Sequence, residues 1–140
     1  MKVRVAGEAT ELGDAVAQEL VRRGHEVVTD KAEVIINVAR QVENSLLHDG
    51  WAWKGARSRI PAQVATLLEI ARSEPPRLIV DASCGLLYGA TMDAREDSPQ
   101  TAPGGNHRFR ASLAAEEAIR DSGLPVCCAW ALGTDHVTRT

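Results

Sequence analysis

The sequence predicts an α/β protein of three layers, in which helices flank a mostly parallel sheet of about five strands. Three observations carry this. Short β-rich runs alternate with stretches of helical periodicity along the whole sequence, without internal repeats. One run, Glu33 to Val38 (EVIINV), is rich enough in β-branched residues to be buried on both faces, as strands of parallel sheets are. Aromatic residues are limited to three Trp, one Tyr and one Phe, so the core has to be built from Val, Leu, Ile and Ala.

Taken in order, Lys2 to Ala6 (KVRVA) is a strand ending at Gly7, and Leu12, Val16 and Leu20 then repeat every four residues, one face of a helix. Gly24 stops that helix as a C-terminal cap. His25 to Thr29 (HEVVT) predicts a second strand closing on Asp30, and Glu33 to Val38 a third. Arg40 to Ser58, with Gly50, Gly55, mixed charges, Trp51 and Trp53, predicts a loop with at most a short helix. Helical spacing returns over Ile60 to Arg72 through Val64, Leu67, Leu68 and Ala71, and Pro75-Pro76 breaks it. Leu78 to Ala82 is the fourth strand, Asp93 to Gly105 a Pro/Gly/Ser-rich loop, Ser112 to Arg120 a helix and Pro125 to Trp130 the fifth strand. One step strains this picture: only Asp30 to Ala32 separates the second strand from the third, whereas parallel neighbours need a crossover of about a dozen residues. Either the two form an antiparallel hairpin, or the second strand is displaced and the link runs across the sheet.

Bulk properties narrow the function classes. With 140 residues the chain fits a single domain with a real core. A 44% hydrophobic content, 25% charged residues and a formal charge of -3 leave no basic surplus for nucleic acid. No apolar run approaches the roughly 20 residues that span a bilayer, and no apolar leader precedes the first strand, so no membrane is expected and the expectation is a cytoplasmic protein. Cys84, Cys127 and Cys128 read as reduced thiols, because neighbours in a strand point to opposite faces. His25, His48 and His136 lack metal-ligand spacing.

The segments KVRVAGEATELGDAVAQELVRRGHEVVTD, EVIINVA, LLEIAR, RLIVDASCGLLYG, EDSP and LAAEEAIRDSGLPV resemble, in that order, the NAD-dependent epimerase/dehydratase family of extended short-chain dehydrogenases. The resemblance covers most of the chain outside residues 40 to 59 and implies a Rossmann-like NAD(P)-binding domain. Family members carry a further helix, strand and helix between the segments matched by HEVVTD and EVIINVA, and a C-terminal substrate region. The sequence shows neither, which predicts one domain over residues 1–140.

The resemblance also implies a cofactor site. The family turn reads Gly-x-x-Gly-x-x-Gly, so that backbone N–H groups and a helix N-terminus can approach a pyrophosphate. Here its positions hold Gly7, Thr10 and Gly13, with Glu11 and Leu12 between the last two, and Thr10 replaces the glycine that permits close approach. Glu8 and Glu11 place negative charge beside that pyrophosphate. At an effective dielectric of about 20, a like-charge pair at about 4 Å costs on the order of 4 kcal/mol, more than the roughly 0.3–2 kcal/mol a helix terminus contributes. Binding of NAD or NADP is therefore expected to be weak. Asp30 stands where the family holds the adenosine ribose and favours NAD by repelling a 2′-phosphate, and Ala39, closing EVIINVA, completes the implied cofactor set. The plainer alternative is that the glutamates cap their own helix and Asp30 makes a turn.

The family's chemistry uses a tyrosine base, a lysine four residues later and a Ser or Thr holding the substrate oxygen. Counted from LAAEE, the tyrosine position holds Arg108 and the lysine position Ser112, so the pair is absent. Counted from LLYG, the hydroxyl position holds Cys84, a weak donor, and Tyr88 matches a structural tyrosine of the family. Cys84, Tyr88 and His107, one residue off register, are the remaining catalytic candidates, each with a packing role as its alternative. Three readings follow: a degenerate pseudoenzyme that senses cofactor or serves a partner enzyme; an active sugar-nucleotide epimerase, dehydratase or reductase with an atypical site; and an assembly module, such as a homodimer, without cofactor.

Overall fold

Val3 and Val5, 0% and 4% exposed, alternate with Arg4 and Ala6 in β1 (Lys2–Ala6), a strand pressed against structure on its valine side. The structure, a computed structural model, describes residues 1–7, 11–38, 50–84 and 107–131. After β1 come α1 (Glu11–Arg22), β2 (Glu26–Val27), β3 (Val34–Asn37), α2 (Gly50–Ser73), β4 (Leu78–Cys84), α3 (His107–Arg120) and β5 (Val126–Ala131). The five strands form one sheet in the order β2-β1-β3-β4-β5, every pair parallel. No helix among the described residues is long and apolar enough to cross a membrane.

α1 ends as its sequence dictates. Gly24 takes φ +83°, the His25 N–H donates to the Leu20 carbonyl at 3.0 Å and the Gly24 N–H to the Val21 carbonyl at 2.9 Å, a Schellman closure. The short connection after β2 is the displaced strand, not the hairpin. β2 and β3 flank β1 on opposite sides, and Val3 is the register partner of both Val27 and Val34. Because β2 is only two residues long, it ends at the level where β3 begins, and the chain need only cross two strand spacings, about 10 Å, not the length of the sheet. Residues 28–33 span that easily at about 3.3 Å each. The link is held from the α2 side: the Arg4 guanidinium donates to the Thr29 carbonyl, and the Lys31 N–H, at φ +47°, donates to Glu74 Oε2 at 2.7 Å.

Chain direction then fixes the layers. The step from β1 to β2 and the steps from β3 to β4 to β5 run opposite ways along the sheet, so right-handed crossovers put α1 on one face and α2 with α3 on the other. One core cluster lies on the second face, where Ile35 and Ile79 of the sheet meet Ile60, Val64, Leu67, Leu68 and Ala71 of α2 and Ala115 and Ile119 of α3, while Val3, Val5 and Val34 are buried on the other.

Several boundaries differ from those expected. Residues 50–58, read as loop, are the first turns of α2, and Pro61 lies inside that helix. A proline there costs about 3 kcal/mol, but each aliphatic side chain buried along the same helix returns roughly 1.5–3 kcal/mol, and Ile60, Val64 and Leu67 are all at or below 6% exposure. Local propensity loses to tertiary burial. α3 likewise begins at His107, ahead of the expected Ser112, and β4 runs on to Cys84.

Candidate functional site

In a doubly wound sheet, a crevice opens at the carboxyl ends of the strands where the order of connection reverses. That point here lies between β1 and β3: the helix after β1 goes to one face and the helix after β3 to the other. Gly7 follows β1 with φ +95°, a conformation that favours glycine. Asn37 ends β3 and is 3% exposed. Both line a cavity of about 380 Å³ that continues along the α2 side of β1. Val28 and Thr29 of the crossing link close one wall, and Gln63, Thr66, Leu67 and Ile70 of α2 form the opposite one. The volume falls within the usual range for a small-molecule site.

Polar groups are sparse and placed. Asn37 Nδ2 donates to Asp81 Oδ1 at 2.8 Å, so the floor beneath the end of β3 is a buried amide–carboxylate pair with Asp81 0% exposed. Arg4 brings a guanidinium to the cavity wall while bonding the Thr29 carbonyl. Gln63 Oε1 is enclosed and has no hydrogen-bond partner among the described residues. In α3, Glu116 is 0% exposed and accepts from Arg120 at 2.6 Å. Burial, followed by the charges of Glu116 and Asp81, pushes the Cys128 thiol up from its ordinary range.

The structure gathers only part of the residues expected at a cofactor site. Gly7 lines the cavity; Glu11, Leu12 and Gly13 are the first three residues of α1, Leu12 half-buried and Gly13 buried. Asp30 is exposed on the link, next to the wall residue Thr29. Thr10 and Ala39 lie outside the described residues, as does Tyr88. Cys84 is the last residue of β4, two strands from β1, and His107 is the first of α3. Sequence reasoning missed Arg4, Asn37 and Gln63. Two of them left a signal: Arg4 interrupts the aliphatic stretch from Val3 to Ala6, and Gln63 shares with Leu67 and Ile70 the i, i+4, i+7 spacing of one helix face.

The architecture has solved counterparts. An enzyme of Bordetella bronchiseptica, WbmH, in complex with NAD+, matches with a TM-score of 0.71 at 15% identity, over 92% of this chain and 55% of its own. A short-chain dehydrogenase/reductase superfamily protein of Agrobacterium tumefaciens with bound NAD gives 0.69 at 16%, over 91% and 48%. A UDP-galactose 4-epimerase gives 0.68 at 19%, over 91% and 55%. No family model and no curated protein matches the sequence. The fold is therefore Rossmann-like, and the chain spans about half the length of these solved structures.

Proposed function

We propose that the chain is an NAD(P)-binding domain whose catalytic apparatus has degenerated, acting in the cytoplasm as a cofactor sensor or as the subunit of a partner enzyme. The observation that carries the cofactor reading is Gly7: at φ +95° it turns the chain from β1 toward α1 and opens onto the cavity at the point where the sheet reverses. Proteins of the same fold, WbmH among them, hold NAD. The degenerate chemistry rests on Arg108 and Ser112, which stand where the resembled family has its tyrosine and lysine. Thr10, Glu8 and Glu11 make the binding weak, and Asp30 favours NAD over NADP.

Isothermal titration with NAD, NADH, NADP and NADPH tests this. Saturable binding in the high micromolar to millimolar range, stronger for the unphosphorylated pair and without turnover of sugar nucleotides, is the expected result. No heat at millimolar cofactor would withdraw the cofactor reading, and turnover would withdraw the degenerate one.

A further inference from the structure

We propose that the inner end of the cavity is a second binding site, one for an aliphatic carboxylic acid, with Arg4 holding the carboxylate. This goes beyond the nucleotide reading, which needs only the carboxyl end of the cavity at Gly7. From Gly7 and Asn37 the cavity runs back along β1 to Arg4, a distance of about 10 Å at the usual strand rise. Toward that end its walls are Val28 of the link and Leu67 and Ile70 of α2, with Ala6 as the floor. Leu67 is 4% exposed and Val28 and Ile70 are half-buried, so the slot offers hydrocarbon surface along its length and a cation where it ends.

That cation is set apart from the other arginines. Arg22 and Arg23 both hold the Glu19 carboxylate, and Arg120 holds Glu116. Arg4 makes no ion pair among the described residues; its guanidinium donates to the neutral Thr29 carbonyl instead. A guanidinium carries five N–H donors in a planar fork, so one carbonyl leaves most of them for a ligand. The Thr29 bond also fixes the side chain at the wall, which lowers the entropy lost when a ligand arrives. Half-buried beside apolar walls, the charge has given up part of its hydration, and a carboxylate is the group that returns two parallel charge-assisted bonds to it. An acid with a linear apolar tail satisfies both the fork and the slot.

Isothermal titration of the whole chain, without dinucleotide, tests this. Butanoate, hexanoate and octanoate are compared with octanamide, which keeps the chain and loses the charge, and with inorganic phosphate, which keeps a charge and loses the chain. Octanoate is expected to bind saturably and about tenfold or more tighter than octanamide, the effect of a charge-assisted hydrogen bond. Affinity should rise from butanoate to octanoate by up to about fourfold per methylene, and phosphate should show no saturable binding. Arg4→Met, which keeps an apolar side chain at the wall, is expected to bring octanoate and octanamide to equal affinity. Equal affinities in wild type, a preference that survives in Arg4→Met, phosphate binding as tightly as octanoate, or no octanoate binding at all each overturn the proposal. Should Arg4→Met not fold by circular dichroism, Arg4→Gln is read in the same way, and the wild-type comparison decides without either. With no dinucleotide in these titrations, their failure leaves the nucleotide reading to the NAD titration, and failure of NAD to bind leaves the acid site to these.

Discussion

Gly7 offers the sharpest separation between a structural turn and a ligand cradle, because the molecule contains its own control. Gly7 at φ +95° and Gly24 at φ +83° both hold backbone conformations that side chains resist, and at Gly24 an added Cβ meets nothing within 4 Å. Each Gly→Ala change therefore costs about 1–2 kcal/mol of backbone strain, part of it offset by roughly 0.4–1 kcal/mol from a stiffer unfolded chain. A net loss near 1 kcal/mol lowers the melting temperature of a domain this size by about 3–4 °C, the shift expected of Gly24→Ala, and the same backbone strain applies at Gly7. Their ligand affinities should part. Gly24 is a helix cap outside the cavity lining, so its variant is expected to keep the wild-type affinity. If the turn cradles a phosphate, as proposed, the displaced backbone at Gly7 would lose at least one hydrogen bond to it, worth about 1.5–3 kcal/mol, or roughly ten- to a hundredfold in Kd. Differential scanning fluorimetry and NAD titration of both variants measure this. If Gly7→Ala kept the wild-type Kd, or if Gly24→Ala weakened binding as much, the turn after β1 would not be a nucleotide cradle.

Three further outcomes follow from the same structure. Asn37→Leu takes a donor from the buried Asp81 carboxylate and is expected to cost about 1–3 kcal/mol, seen as a lower urea midpoint; an unchanged midpoint would remove the pair from the account of stability. The Glu19 carboxyl is held down at about 2, from an ordinary 4.5, first by its hydrogen bond from Arg22 and then by that from Arg23. A lowered acid stabilises above its unfolded value and loses that contribution as pH falls through its folded one, so wild type should melt slightly above Glu19→Gln at pH 7 and not at pH values near 2; a gap independent of pH would contradict this. Cys127 is exposed, whereas Cys128 is partly buried with its thiol pushed up, so brief alkylation of the native protein followed by peptide mass mapping should label Cys127 first; reversed order would show that β5 presents the other face to solvent.

The legible part of the fold was local. Alternation in KVRVA, the four-residue repeat of Leu12, Val16 and Leu20, the cap at Gly24 and the aliphatic EVIINV each encode an element through nearby residues, and those elements formed where expected. Residues 50–58 failed for the opposite reason: glycines and a nearby proline weigh against a helix locally, and its stability comes from Ile60, Val64 and Leu67 packing on strands far away in sequence. The site divides similarly. Gly7 announced itself by residue type at a turn position, but Asn37 is an ordinary residue at a strand end until the fold brings it to one cavity with Arg4 and Gln63, whose sequence signals are only a charge within a strand and the spacing of a helix face.

The sequence by itself determined the class, alternating strands and helices with a glycine turn after the first strand, because periodicity and turn chemistry act over a few residues. Only the tertiary structure decided that β2 and β3 flank β1, since strand order depends on long-range pairing and on a strand two residues long ending level with the start of the next. From that one decision come the crossing link and the cavity it walls.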